Sequence, residues 1–287
     1  MYPRAFDYVA PTTLAEALDA LDDDAKVLAG GMSLLPLMKF RMLSPRLLVD
    51  IGGITELGVI GDGGDVVSIG ALVRHADTAE SELVAANAAA LATAASLTGD
   101  PQIRNRGTTC GSCAHADVAA DQPAAVLALG GTMVARSTSG SREIPATDFF
   151  VDALTSALNP DEILTEIRIP KANQGEGSAY DKLGRRGGRS DYAVAGVAAW
   201  VKTSNGSVED ARVALTGVGA RPSLAAGVAE ALVGTDGSEA AVAAAAERAA
   251  EGVTVLEDLY GSVEYKTHLA KVYTARVLRE ALVAARG

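Results

Sequence analysis

The sequence predicts an α+β protein built in three parts, and three observations lead to that prediction. The chain has 287 residues, 48% of them hydrophobic, so it is long enough to bury more than one core. Strand-like and helix-like segments are mixed over the first two thirds, whereas the last third has three strands followed by helices. Changes of pattern near residues 55 and 175 place the parts at 1–55, 56–175 and 176–287.

The first part predicts three strands around one helix. The candidate strands are 6–9, 25–29 and 47–51, and the candidate helix is 14–21. Thr13 and Glu16 have the spacing of a capping box, in which two side chains satisfy N–H groups of the first helical turn. Two consecutive glycines follow the second strand, and an apolar stretch comes after them.

The middle part predicts a β-rich unit around an alanine-rich helix. The candidate strands are 66–69, 133–135 and 163–169, and the candidate helices are 83–97 and 124–129. Pro170 ends the last strand, because proline has no N–H to donate to a neighbouring strand. Residues 171–178 are rich in Gly, Asn and Gln and predict a linker.

The last part predicts a three-stranded antiparallel sheet with helices. The candidate strands are 180–183, 193–203 and 208–216, and the candidate helices are 223–232, 238–250 and 268–285. The turn SNG at 204–206 joins the second and third strands into a hairpin.

Charge and hydropathy exclude several classes of protein. The formal net charge of -11 argues against nucleic acid or an anionic membrane as the main partner, because both require a basic surface. No stretch of about 18 apolar residues is free of charge or glycine. The N-terminus has no basic segment followed by an apolar one. We therefore expect a cytoplasmic protein that is not an integral membrane protein.

Two segments have compositions suited to a polar ligand. AGGMS at 29–33 follows a strand, and its glycines let the backbone approach a phosphate and present N–H groups to it. It lacks the GxGxxG of a Rossmann fold and the GK[ST] of a P-loop. RNRGTTCGSCAHADVAAD at 104–121 crowds glycines, hydroxyls and aspartates together without apolar periodicity. This second segment predicts a loop, either one that binds a ligand or a plain surface loop.

The chain has two cysteines, Cys110 and Cys113, in a CxxC spacing that suits a redox pair or half of a zinc site. Zinc needs about four ligands, and the sequence has no second CxxC and no HxxxH. A redox CxxC usually opens a helix, whereas this one is embedded in Gly, Ser and Thr. We favour reduced thiols near a ligand, with a redox role as the alternative. His115 is expected to be structural, and no catalytic residue or metal ligand is assigned.

Four ordered blocks resemble one protein family. They are AGGMSLLPLMKFRM at 29–42, RNRGTTCGSCAHADVAAD at 104–121, DEILTEIRIP at 161–170 and YDKLGRRGGRSDYAVAGVA at 180–198. Together they resemble the FAD-binding medium subunit of the molybdenum hydroxylases. This family includes carbon monoxide dehydrogenase, the bacterial N-heterocycle dehydrogenases and the flavin domain of xanthine dehydrogenase. The resemblance implies a two-part FAD-binding domain of the vanillyl-alcohol-oxidase (PCMH) type and a C-terminal domain like that of the carbon monoxide dehydrogenase flavoprotein.

The resemblance also implies which residues bind FAD. The first block would hold the pyrophosphate, and the second would contact the cofactor through the family's T-x-G-G-S pattern and through Asp121. Leu164 would pack near the flavin, and Tyr192 would be an aromatic neighbour of its ring. Lys182 would lie close to the isoalloxazine, where a cation stabilises the reduced anionic flavin. The implied residues are Ala29, Gly30, Gly31, Met32, Ser33, Leu34, Thr108, Thr109, Cys110, Gly111, Ser112, Asp121, Leu164, Lys182 and Tyr192.

The second block departs from the family pattern at Cys110, where the family usually has glycine, and at Val118, which replaces a proline. If residue 110 had to adopt a positive φ, a cysteine there would cost about 1 kcal/mol or more. The backbone conformation of Cys110 therefore decides whether the usual cofactor contact is kept.

The function implied by the resemblance is electron transfer within a larger enzyme. A large molybdopterin subunit would oxidise the substrate, and a small subunit with two [2Fe–2S] clusters would pass electrons to FAD on this chain. An external acceptor such as a quinone, oxygen or NAD would receive them, in a dimer of heterotrimers. Two cysteines cannot supply the thiolates of these clusters, so the partners must hold them. The alternatives are a self-contained flavin oxidase of the vanillyl-alcohol-oxidase type and a structural subunit that has lost FAD.

Overall fold

A computed structural model of the protein describes residues 1–188 and 190–287. The first fifty residues contain a parallel three-stranded sheet with strand order β1-β3-β2. Its elements are β1 (Asp7–Val9), α1 (Leu14–Asp19), β2 (Ala25–Leu28), α2 (Leu34–Lys39) and β3 (Leu47–Asp50).

Helix α1 begins at the predicted capping box. The Thr13 hydroxyl accepts the N–H of Glu16 at 3.2 Å, and the Glu16 carboxylate accepts the N–H of Thr13. Both side chains satisfy N–H groups that the helix itself leaves free. The apolar stretch after the two glycines forms α2, which buries Met38. The glycine turn therefore connects a strand directly to a helix.

Residues 60–170 build a second sheet, which is antiparallel with strand order β4-β5-β10-β6-β7. Six short helices lie between its strands β5 and β6 in the described chain. Its elements are β4 (Ile60–Asp62), β5 (Val66–Gly70), α3 (His75–Glu80), α4 (Glu82–Asn87), α5 (Ala89–Leu97), α6 (Pro101–Arg104), α7 (Thr109–His115), α8 (Asp121–Ala128), β6 (Thr132–Ser137), β7 (Gly140–Pro145), α9 (Ala146–Phe149), β8 (Phe150–Asp152), β9 (Thr155–Ser156) and β10 (Ile163–Pro170). Strands β8 and β9 pair separately.

Two predictions for this region are wrong. The helix expected at 83–97 is divided at Ala88, whose φ of -145° and ψ of 51° are not helical, so α4 and α5 are separate helices. The segment 104–121, expected to be a loop, contains α7. That helix starts where the Thr108 hydroxyl accepts the N–H of Gly111 at 3.1 Å, and it ends at Ala116, whose φ is 52°. Capping and burial thus form a helix from a sequence without apolar periodicity.

Residues 176–286 contain a third sheet, which is antiparallel with strand order β11-β12-β13-β14. The elements are β11 (Glu176–Gly184), β12 (Ala193–Ser204), β13 (Ser207–Thr216), β14 (Ser223–Leu224), α10 (Ala226–Leu232), α11 (Glu239–Ala246) and α12 (Val263–Arg286). The predicted hairpin turn is confirmed, since Asn205 and Gly206 both have positive φ, as a tight hairpin requires.

The third sheet has one strand more than predicted. Residues 223–224 were expected to begin a helix, but they pair with β13 as a fourth strand, and α10 starts at Ala226. The end of the expected linker, from Glu176 onward, belongs to β11. Both differences arise because edge strands are set by pairing with distant residues, which composition does not reveal.

The third sheet is buried on both faces. Tyr180, Ala198 and Trp200 point into a core shared with the first two sheets. Residues of opposite parity, such as Val197 and Val201, pack under the C-terminal helices. This arrangement brings the near face of β11 and β12 against α5 and α8. In the described part of the chain, no helix combines the length and the apolar character needed to cross a membrane.

Candidate functional site

A cavity of about 900 Å³ is lined by residues from all three regions of the chain. Its size is near the upper end of small-molecule sites, which span roughly 300–1,000 Å³. Most of the wall comes from residues 25–43, 98–122 and 154–164, with a further contribution from Arg186 and from residues 190–192. Every residue that the sequence assigned to the site lines this cavity except Thr109 and Lys182.

The first wall is the turn between β2 and α2. Gly31 has φ +75°, a left-handed conformation that glycine adopts without strain. A left-handed residue in such a turn is the arrangement from which backbone N–H groups form an anion-binding nest. A Cβ at Gly30 would lie 2.2 Å from the carbonyl oxygen of Arg106 and 2.7 Å from Cα of Gly107. The two predicted segments are therefore in direct backbone contact.

The second wall is α7 with the residue that caps it. Thr108, Gly111 and Ser112 line the cavity, and the Ser112 hydroxyl donates to Oε1 of Gln122 at 2.9 Å. Thr109 is fully buried, and its hydroxyl lies 2.7 Å from that of Thr78. Thr109 thus attaches α7 to α3 and does not face the cavity.

Cys110 lies in the first turn of α7, so its φ is helical and negative. The strain that a positive φ would impose on a cysteine is absent. Its Sγ lies 3.2 Å from the carbonyl oxygen of Ile69, which places the side chain against β5. The CxxC pair therefore opens a helix after all, contrary to the sequence prediction. Both cysteines are buried free thiols, and burial raises the pKa of Cys110 and of Cys113.

Sequence reasoning missed a buried polar chain beside this wall. Gln122 Nε2 donates to the Thr98 hydroxyl at 2.6 Å and lies 3.1 Å from Nδ1 of His75. Burial, aided by the charge of Arg104, lowers the pKa of His75 to about 4, so the ring is neutral near pH 7. Its Nδ1 then accepts from Gln122. One sequence signal pointed to these hydrogen-bonded residues: Gln122 directly follows the last residue of the second segment.

Asp121 connects these hydrogen-bonded residues to Lys182, with which it forms a buried ion pair. Its carboxylate accepts hydrogen bonds from the Thr98 hydroxyl at 3.2 Å, from Lys182 Nζ at 2.6 Å and from the Tyr180 hydroxyl. Burial raises the pKa of Asp121, and the charge of Lys182 opposes that shift. Lys182 has no exposed side-chain surface and contacts the cavity only through its partners. The structure therefore places Lys182 behind the wall and not within the cavity.

The third wall combines an apolar and an aromatic residue. Leu164 lies in β10 at an irregularity in its pairing with β6, and its side chain is buried at the cavity. Tyr192 precedes β12, and its ring lies 5.0 Å from the guanidinium of Arg185. The Tyr192 hydroxyl lies close enough to Ser33 for the two side chains to interact, and burial is the main cause that raises the pKa of Tyr192. Tyr192 therefore bridges the third region to the glycine turn.

Comparison with known families decides what this site belongs to. Residues 4–172 match the family described as the FAD binding domain in molybdopterin dehydrogenase. This chain belongs to that family. Residues 178–281 match a second family, the CO dehydrogenase flavoprotein C-terminal domain. The resemblance inferred from the four sequence blocks is confirmed, and the chain is a subunit of an oxidoreductase.

Individual members of the family are similar along their whole length. The carbon monoxide dehydrogenase medium chain of Hydrogenophaga pseudoflava is 40% identical over 284 residues, which cover 98% of each chain. The 6-hydroxypseudooxynicotine dehydrogenase complex subunit alpha of Paenarthrobacter nicotinovorans is 38% identical, covering 100% of this chain and 97% of the relative. Among solved structures, the Hydrogenophaga pseudoflava carbon monoxide dehydrogenase superposes with a TM-score of 0.94 at 40% identity, covering 99% of each chain.

The cavity fits the cofactor of this FAD-binding family. A pyrophosphate can come close to the backbone at Gly30 and Gly31, because these residues have no side chain to stand between them. Hydroxyl and carboxylate groups at Thr108, Ser112 and Asp121 suit the sugar and ribityl hydroxyls, and an apolar wall suits a flat ring. The donor set therefore agrees with FAD, which combines these three chemical groups.

Proposed function

We propose that this chain is the FAD-carrying electron-transfer subunit of a heterotrimeric molybdenum hydroxylase. A large molybdopterin subunit oxidises the substrate, and a small subunit holds two [2Fe–2S] clusters. Electrons pass from those clusters through FAD to an external acceptor such as a quinone, oxygen or NAD. Support comes from the two family matches and from relatives named as a medium chain or as a subunit of a dehydrogenase complex.

One observation carries this proposal: the two glycine-containing segments meet at a single cavity. Gly30 packs on the backbone of Arg106, and α7 begins two residues after Gly107. The contact aligns the β2–α2 turn with the capped start of α7. A ligand with a phosphate at one end and a hydroxyl-bearing chain beside it can then touch both segments at once.

The proposed roles of the site residues follow their position along the wall. Residues 29–34 hold the FAD pyrophosphate, and Thr108 with residues 110–112 contacts the ribityl side. Leu164 and Tyr192 flank the ring. Asp121 has about four acceptor positions and three protein donors, which leaves one for an FAD hydroxyl. FAD, when bound, supplies the exchange of electrons singly or in pairs that links a cluster to an acceptor.

We further propose that the chain divides at 1–55, 56–175 and 176–287. The first two parts form an FAD-binding domain of the vanillyl-alcohol-oxidase (PCMH) type, and the third is the C-terminal flavoprotein domain. Each part has its own sheet, which supports this division. The assembly is a dimer of heterotrimers in the cytoplasm.

Purification of the complex through a tag on this chain tests the proposal. Acid release should yield FAD in an amount equal to this chain, and elemental analysis should find molybdenum and iron. Both metals should be lost when this chain is separated from its partners. A complex that contains no FAD would contradict the proposal in favour of a structural subunit. Substrate oxidation by the isolated chain would favour a self-contained oxidase.

A pair of glycine variants ties the FAD content to the cavity. Gly31→Ala forces a side chain into a left-handed residue whose Cβ would lie 3.1 Å from Leu28 and Leu35. We expect this variant to assemble with much less FAD. Gly64→Ala is the matched control, because Gly64 has φ +79° and nothing within 4 Å of its Cβ position, so backbone strain occurs away from the cavity. Equal FAD loss in both variants would contradict the assignment of the turn.

A further inference from the structure

Lys182 is a buried cation, and both of its hydrogen-bond acceptors belong to the cavity wall. Its Nζ donates to Oδ2 of Asp121 at 2.6 Å and to the carbonyl oxygen of Asp191 at 2.6 Å. Asp121 and Asp191 line the cavity, and the Lys182 side chain is 0% exposed. Lys182 therefore acts on the cavity through these two residues, which come from different regions of the chain.

Strands β11 and β12 are shaped to admit this side chain. Tyr180 lies two residues before Lys182 on the same face of β11, and its hydroxyl donates to the other carboxylate oxygen of Asp121. Gly196 in β12 is paired with Lys182. A Cβ at Gly196 would lie 2.6 Å from the Tyr180 hydroxyl and 3.3 Å from Cβ of Lys182. The glycine leaves the space that both side chains occupy.

Asp191 has an uncommon backbone conformation that its surroundings support. Its φ of 75° is left-handed, a region that costs energy for most residues other than glycine and that aspartate enters when its side chain hydrogen-bonds to nearby backbone. Its carboxylate accepts the N–H of Tyr192 at 2.8 Å and pairs with Arg186 at 3.1 Å. A strained conformation persists only where surrounding contacts hold it. The bond from Lys182 to the Asp191 carbonyl thus helps to fix the direction in which the chain enters Tyr192.

We propose that Lys182 is a positioning residue, which holds Tyr192 at the cavity by joining the Asp191 carbonyl to the Asp121 carboxylate. The inference rests on the proposed function, in which Tyr192 is a neighbour of the FAD ring. It replaces the direct flavin contact that the family resemblance implies for Lys182. A buried charge that loses its partner is strongly unfavourable, so the Lys182–Asp121 pair anchors this connection in the native protein.

The visible circular dichroism of bound FAD in the assembled complex tests this role, because it reports the groups close to the ring. Lys182→Met should change the spectrum when Tyr192 is present. In a Tyr192→Ala background, Lys182→Met should cause no further change, since the effect passes through Tyr192. An equal change in both backgrounds would mean that Lys182 acts on the flavin without Tyr192, by direct contact or through Asp121, and would overturn the proposal. If Lys182→Met leaves the spectrum unchanged in the protein that retains Tyr192, the proposal is also overturned.

Amide hydrogen exchange gives a second readout that does not depend on FAD. In the same complex, Lys182→Met should increase exchange over residues 190–195 by at least about tenfold, as loss of a charged hydrogen bond predicts. Exchange in β13 should stay unchanged. If the exchange rate over residues 190–195 in Lys182→Met equals that of the wild type, the proposal is overturned. A wild-type complex without FAD would contradict the proposed function instead, and the exchange result would still be decisive for Lys182.

Two further variants complete the design. If Lys182→Met alone does not fold, the double variant Lys182→Met/Asp121→Asn removes both charges, and a neutral pair avoids the buried uncompensated carboxylate. It should give the same increase in exchange over residues 190–195, and the absence of that increase would overturn the proposal. Lys202→Met is the matched control, because Lys202 lies on β12 and pairs with Glu209 at 3.0 Å near the surface. This control should leave both readouts at their wild-type values.

Discussion

Gly30 packs so closely on Arg106 that a Cβ on the glycine would lie 2.2 Å from the arginine's carbonyl oxygen. The adjoining Gly107 is also close, since its Cα lies 2.7 Å from the same Cβ position. The contact joins segments that are more than seventy residues apart in the sequence. It fixes the distance between the glycine turn and α7, and hence the width of the cavity between them.

Gly30→Ala should therefore weaken both folding and FAD retention. Because the neighbouring atoms are backbone, the clash cannot be relieved by a side-chain rotation, and overpacking of this kind costs about 1–3 kcal/mol. The free energy of unfolding in urea and the FAD released from the purified complex measure the two effects. Gly53→Ala is the control, because its Cβ would lie 3.6 Å from the nearest atom. Stability and FAD content equal to those of the control would contradict the close packing of Gly30.

The pH dependence of stability should contain a term from His75. Its pKa falls from 6.5 to about 4 on folding, so between these values the unfolded chain binds a proton that the folded chain does not. The contribution of the neutral His75 ring to the free energy of unfolding is complete above about pH 6.5 and is lost as pH falls toward about 4. Between about pH 7.5 and pH 5 the loss is about 2 kcal/mol.

Urea unfolding of His75→Gln at both pH values measures this term as a difference from the wild type. The variant should lose less stability on acidification than the wild type by about 2 kcal/mol. His268→Gln serves as the control, because His268 is exposed on α12 and its replacement should leave the wild-type pH dependence in place. An identical pH dependence in wild type and His75→Gln would show that the ring is not buried as neutral imidazole.

Local patterns predicted the strands and helices that local contacts determine. The capping box at Thr13 and the hairpin turn at Asn205 and Gly206 depend on neighbours in the sequence, and both were recognised. Helix α7 was not, because TCGSCAH contains glycine, threonine and serine, all weaker helix formers than alanine. Its stability comes from the Thr108 cap and from two tertiary effects, the packing of Cys110 against β5 and the burial of Cys113.

The candidate site was predictable in composition and not in arrangement. Two segments were identified from their glycines and hydroxyls, and the structure brings them to one cavity. The burial of His75 and Gln122 beside the cavity could not be predicted, because in a sequence a single buried polar residue looks the same as one on the surface. That Tyr180 and Lys182 lie on the same face of β11 follows from the alternation of side chains along a strand. Which face meets Asp121 depends on the packing of the third sheet.

The two thiols should be unreactive in the folded protein. Cys110 and Cys113 are buried, and burial raises the pKa of each, so the reactive thiolate is scarce at neutral pH. An aromatic disulfide reagent should label neither residue in the native complex and both in urea. Mass spectrometry after labelling identifies the site. Rapid native labelling of Cys110 would mean that it is accessible from the cavity and would revive the redox interpretation of CxxC.

Thr216 should connect the stability of the third sheet to the cavity wall. Its buried hydroxyl lies 2.9 Å from the carbonyl oxygen of Val118 and 2.8 Å from that of Ala120, just before Asp121. Thr216→Val keeps the shape and removes the donor, which should cost about 1 kcal/mol. FAD should then dissociate faster, because residues 118–120 set the start of α8.

Release of FAD from the diluted complex, followed by flavin fluorescence, measures the effect of Thr216→Val. Thr203→Val is the matched control, since its hydroxyl donates to the carbonyl oxygen of Gly175 at 3.2 Å, and neither residue lines the cavity. Both substitutions remove one hydrogen bond from the same sheet, so a general loss of stability would affect them alike. Faster FAD release in Thr216→Val alone is expected, because only that hydroxyl bonds to the segment leading into Asp121. Equal release rates in the two variants would mean that the wall keeps its position without the Thr216 hydroxyl.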